Sequence, residues 1–234
     1  MSFPQPPIEV ELFSRKLDRM LGEVESVIYR EVAPTIDRIV AGVVEAAEAG
    51  EELTDAQLDR LTAPLNDQLR VLISEYMFDL QAPLRDHAAT VGPVTPKPTL
   101  ATPVALLQRS QMEGESIESW LKRKSPSRWQ KGLFDVIRGG LRGVGDAATA
   151  IKAGVSRLVN VAAETAVWSM ANQELELNWQ EPPKWLYVAI LDSLICDICA
   201  PWANRTAKRL NDLPETPQHP RCRCHRFPLF EGSS

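Results

Sequence analysis

Apolar positions recur at helical spacing through the first third of the chain. Leu17, Met20, Leu21, Val24, Val27 and Ile28 share one face of a helix starting near residue 12. After Pro34 the pattern resumes with Ile36, Ile39, Val40, Val43 and Val44 and runs to about residue 48. Proline has no N–H to donate, and its ring crowds the preceding turn, so a kink or break is expected at Pro34. Gly50 marks a stop. Thr54 with Gln57 three positions on reads as a capping box. Leu58, Leu61, Leu65, Leu69, Leu72 and Ile73 then carry a second helix to about Leu80. The two form an antiparallel helical pair. His87, beyond Pro83, reads as a surface residue.

Pro93, Pro96, Pro98 and Pro103 crowd the next stretch, which cannot be a helix or a central strand. It reads as an extended linker over 93–104 and as the main boundary of the chain. Helical signal returns at 103–112, 116–124 and 127–142, where Trp129, Leu133, Val136 and Ile137 share a side. Glycines end that helix and Asp146 caps the next. Ile151, Val155, Leu158, Ala162, Ala166 and Met170 mark its buried face to about Gln173. The small side chains of Ala162, Ala163, Ala166 and Ala171 would let another helix come close. Pro182 and Pro183 end the run. The short apolar, aromatic stretch 185–191 reads as a strand, with Phe227-Pro-Leu-Phe as its partner. The expected fold is mainly α, of α+β class. It has an acidic helical domain at 1–92, a linker at 93–104, and a helical domain at 105–234 that ends in a small β element at about 185–230.

Charge is divided unevenly. Residues 1–92 hold 8 Lys/Arg against 17 Asp/Glu, a net of −9, and residues 93–234 hold 18 against 14, a net of +4. The acidic part alone would repel DNA. In the second part Lys122, Arg123, Lys124, Arg128, Lys131, Arg138 and Arg142 form a basic run interleaved with Trp120 and Trp129. That run is a candidate contact for DNA phosphates; the competing reading is a solvated helix face. No basic-plus-apolar leader is visible at the start, and no apolar run reaches the 18 residues a membrane span needs.

All four cysteines fall between 196 and 224. A disulfide scaffold would spread them through the chain, whereas this clustering fits a metal site made in a reducing cytoplasm. Cys196-Asp-Ile-Cys199 is followed by nineteen residues and then His219-Pro-Arg-Cys222-Arg-Cys224. Two ligands separated by two residues can turn around one ion, and two such turns supply the four ligands of tetrahedral Zn²⁺. Cys196, Cys199, His219 and Cys222 are the first choice, with Cys224 able to replace either of the last two. His225 is a sixth candidate. A catalytic zinc would need an open position and a placed acid or base. Asp192, Asp197 and Glu215 are near in sequence, but no His-Glu-x-x-His and no deaminase pattern is present. The thiol-rich set reads as a closed, structural zinc site that stabilises a segment with little core of its own.

Pro183-Lys-Trp185, Asp192, Cys196-x-x-Cys199, Pro217-x-His219-Pro-x-Cys222-Arg-Cys224 and Pro228 together resemble the Mu F-like minor head (head morphogenesis) proteins of tailed bacteriophages. The resemblance covers about residues 105–230. Family loops often carry a glycine a few residues after the second cysteine, where this chain has Pro201-Trp-Ala-Asn204. The resemblance implies a virion protein, made in the host bacterial cytoplasm, present in few copies and bound inside the head at the portal vertex. Its expected partners are the portal and other capsid proteins, or its own copies in a ring, with packaged DNA nearby, and no membrane. Its role would be head assembly and genome packaging or delivery, without enzymatic activity. The competing functions are a zinc enzyme or toxin-like effector, and a DNA-binding internal virion protein.

Overall fold

The computed structural model of the 234-residue chain describes residues 7–94, 102–109, 111–112, 115–122, 128–143, 146–189, 197–216 and 222–230. Among these, the order is α1 (Ile8–Glu48), α2 (Asp55–Ala88), α3 (Pro103–Arg109), β1 (Gln111–Met112), β2 (Glu115–Ser116), α4 (Ile117–Lys122), α5 (Arg128–Arg142), α6 (Ala147–Asn178), β3 (Lys184–Val188), β4 (Thr206–Ala207) and β5 (His225–Leu229). The fold is mainly α, with a small antiparallel sheet of order β4-β3-β5 near the C-terminus and a two-residue ladder between β1 and β2. No described helix is long and apolar enough to cross a membrane.

The helix ends follow their side-chain chemistry. Thr54 and Gln57 close the expected capping box, each side chain bonding the other's backbone N–H at 3.4 and 2.9 Å. Gly50 takes a φ of 74° as the chain leaves α1, a conformation that costs glycine little. Asp146 accepts from the N–H groups of Ala148 and Thr149 and starts α6.

Two helices run further than their prolines predict. α1 passes through Pro34 without ending. Val32, Thr35 and Ile36 on either side are fully buried, and the packing holds the turn. Gln68 of α2 donates to the Glu31 carbonyl at 2.9 Å, one residue on from the Arg30 carbonyl that Pro34 leaves without its helical donor. α2 likewise continues past Pro83 to Ala88. His87 thereby lies inside the helix with 3% of its surface exposed, and not on the surface as the sequence suggests.

α6 is the centre of the molecule. It packs against α1, α2 and α5, and nearly every residue from Ala162 to Leu175 is buried. The expected small residues Ala162, Ala163, Ala166 and Ala171 are among them. The α5–α6 crossing is close because a Cβ on Gly154 would lie 2.3 Å from Val136 Cγ1.

The α1–α2 pair does not stand apart as a separate domain. Its apolar stripes pack against α6 as well as against each other. Polar bonds cross the same boundary. Trp129 Nε1 donates to Asn66 at 2.8 Å, Arg138 pairs with Asp55 at 2.6 Å, and Lys152 pairs with Asp37. Of the expected linker, residues 95–101 lie outside the described residues. At its start the Pro93 carbonyl accepts from Gln180 N–H at 3.1 Å and Val94 bridges to Trp179. At its far end Pro103 already opens α3.

β3 and β5 pair as expected, with Trp185 opposite Pro228 and Leu186 opposite Phe227. β5 is tied to α6 by a two-pronged ion pair between Arg226 and Glu176, at 2.6 and 2.7 Å, with both side chains about nine-tenths buried. Burial pushes the Glu176 carboxyl up, and the Arg226 guanidinium opposes that shift. Removing one partner would strand the other charge in the interior, at a cost of roughly 3–5 kcal/mol.

Candidate metal centre

The turn after Ile198 starts the site. Cys199 precedes a short 3-10 turn, Ala200–Trp202, closed by the Trp202 N–H to the Cys199 carbonyl at 3.0 Å. The chain reverses at Asn204, whose φ of 60° lies in the left-handed region. Asparagine tolerates that region better than most residues, and glycine better still. Asn204 N–H then bonds the Tyr187 carbonyl, and Tyr187 N–H bonds the Arg205 carbonyl, which locks the turn to β3.

The other side of the site is the approach to β5. Cys222 and Cys224 alternate with Arg223, so in extended chain both face one way. Arg223 points the other way and pairs with Asp18 of α1 at 3.3 Å. Cys199, Cys222 and Cys224 are all buried, and their sulfurs lie within 4.8 Å of one another. Cys199 Sγ and Cys222 Sγ are 3.7 Å apart, far beyond the roughly 2.05 Å of a disulfide, and none of the three cysteines is disulfide-bonded. Cys222 beside it, and then burial, push the Cys224 thiol strongly up. Three thiolates cannot share so small and dry a space unless a cation offsets their charge. The three buried cysteines can hold a metal ion.

Two neighbours orient this cluster. Tyr187, fully buried in β3, donates its hydroxyl to Cys199 Sγ at 3.7 Å. Asn172 of α6 donates from Nδ2 to the Cys224 carbonyl and to Thr216 Oγ1, each at 3.0 Å. Neither role is visible in local spacing, because both residues reach the cysteines across the fold.

Of the five expected ligands, Cys199, Cys222 and Cys224 come together; Cys196 and His219 lie outside the described residues. Cys224, expected as a replacement for His219 or Cys222, sits beside Cys199 and Cys222 among the sulfurs. His225 is directed elsewhere. As the next residue in the strand it faces α1, where its Nε2 lies 3.2 Å from Ser14 Oγ. The Ser14 hydroxyl donates to the Val10 carbonyl, leaving its oxygen to accept from His225 Nε2–H. Burial pushes His225 down to about 4, so it is neutral.

Asp197 and Glu215, the carboxylates that a catalytic reading would use, are both exposed; Asp192 lies outside the described residues. Of the basic run, three side chains are described, all on α5. Arg138 is turned into the fold towards Asp55 and the Leu53 carbonyl, while Lys131 and Arg142 remain exposed on α5. The side chains of Lys122, Arg123, Lys124 and Arg128 lie outside the described residues, as does that of Trp120.

Comparison with known proteins yields no match: no protein-family model fits the chain, and no curated protein or solved structure is significantly similar to it.

Proposed function

We propose that this chain is a structural protein of a tailed-bacteriophage head, of the Mu F-like minor head type, with a single zinc ion pinning its C-terminal sheet. The observation that carries the reading is the placement of Cys199, Cys222 and Cys224. They belong to a Cys-x-x-Cys and His-Pro-x-Cys-Arg-Cys pattern and converge in the dry interior. A tetrahedral ion with zinc–sulfur bonds of about 2.3 Å spaces its sulfurs about 3.8 Å apart. The Cys199–Cys222 separation of 3.7 Å agrees with that spacing. Cys196 or His219, each three residues before one of these cysteines, completes the set.

The zinc on this reading is structural. The sulfurs are closed off from solvent, and the nearby carboxylates are exposed rather than aimed at them. The metal joins the turn after Ile198 to the β5 approach, and β5 is in turn fixed to α6 by Arg226–Glu176. The role in the virion is docking at the portal vertex. Lys131 and Arg142 are exposed on α5 and are open to an acidic protein ring or packaged DNA.

Mass spectrometry of purified, DNA-filled heads tests this directly. The chain should appear in the heads in few copies relative to the major capsid protein, and should co-sediment with portal rings of the same phage. Its absence from heads, with the protein free in the lysate, would overturn the assignment.

A further inference from the structure

We propose that Tyr187 is a positioning residue of the metal centre, whose hydroxyl donates to the metal-bound Cys199 thiolate and sets the affinity of the site. The inference rests on the metal reading above and extends it to a residue outside the Cys/His pattern.

Tyr187 lies in the central strand of the β4-β3-β5 sheet with none of its surface exposed. A buried phenol O–H must find an acceptor, and this one meets Cys199 Sγ at 3.7 Å. A thiolate accepts that bond much more strongly than a neutral thiol does. Three thiolates around a divalent ion leave a surplus negative charge in a water-poor pocket. A fixed donor at one sulfur offsets part of it. The phenol has little freedom to be elsewhere. Its backbone is bonded to Arg205 and Asn204 on one side at 2.8 and 2.9 Å, and faces Arg226 of β5 on the other. The bond is therefore prepaid when the sheet forms, as outer-shell partners of metal sites commonly are.

Tyr187→Phe in the full-length protein removes the hydroxyl and keeps the ring. Zinc affinity is read by competition with a chelator, and Co²⁺ serves as the spectroscopic probe through its sulfur-to-metal charge-transfer band. The expected loss of zinc affinity is about ten- to a hundredfold. The band should also move to lower energy, because a sulfur without its hydrogen bond gives up charge more readily. Unchanged affinity and an unmoved band overturn the proposal. Val188→Ala, a packing change in the same strand, controls for loosening of the sheet. It should leave the band in place, and a shift as large as that of Tyr187→Phe would reassign the effect to packing and overturn the proposal. Wild-type protein that binds neither Co²⁺ nor Zn²⁺ would overturn the metal reading itself, and the role of Tyr187 with it.

Discussion

His87 and His225 both lie against the Phe13 ring, and burial holds each of them neutral. His87 stacks on Phe13 at 3.9 Å and donates from Nε2 to the Phe13 carbonyl at 3.0 Å. Burial lowers its basicity, as it does that of His225, and the nearby Lys16 adds to the effect on His87. In the unfolded chain each imidazole takes a proton below its ordinary 6.5, whereas the folded chain refuses it until about 4 for His225. Stability is thus full above pH 6.5 and is lost as pH falls towards 4, by about 3 kcal/mol from His225 alone. The melting temperature should fall steadily from pH 7 to pH 4.5, and His87→Gln, remote from the cysteines in sequence, should flatten part of that slope. A flat profile, or an unchanged slope in the variant, would contradict this account. At this scale the clustering of Cys199, Cys222 and Cys224 was legible, because ligands of one metal ion would need such a local spacing. His87, Asn172 and Tyr187 were not, because their roles come from neighbours 44 to 74 or 12 positions away that only the fold assembles.

Among the elements, the caps were readable and the prolines misleading. Thr54, Gln57 and Asp146 act on backbone groups within three residues, so their effect is set by sequence. Pro34 and Pro83 weaken a helix locally, but burial of the neighbouring apolar residues against other helices outweighs the lost bond. Glycines on α5 and α6 divide in the same way. Gly154 sits at the α5–α6 crossing, where a methyl would strike the branched Val136; Gly139 has open space around it. Alanine gains about 1 kcal/mol over glycine inside a helix. Overpacking at a tight contact costs about 1–3 kcal/mol. Denaturant unfolding should therefore show Gly139→Ala more stable than wild type by up to about 1 kcal/mol and Gly154→Ala less stable by about 1 kcal/mol. A rise in stability for both would mean that the helices do not approach as described.

Over the whole molecule, the charge division between the two halves is in part an internal matter. Acidic Asp18, Asp37 and Asp55 of the first half meet Arg223, Lys152 and Arg138 of the second. Composition showed the imbalance but not its use, since periodicity says which face of a helix is buried and not which helix buries it. For the same reason α1 and α2 read as a separate domain, while their apolar faces belong to the core around α6. On the proposed metal reading, the cysteine cluster gains a wider role from this arrangement. The β5 approach carries Cys222 and Cys224 on one side, and Arg223 and His225 on the other reach α1. Pinning the cysteines thus also seats the sheet on the helical core. The most direct test is the metal content of full-length protein purified without added metal, measured with its fold. The account predicts one zinc ion per chain, and loss of the β3–β5 sheet when a chelator removes it. A metal-free chain with the sheet intact would contradict it.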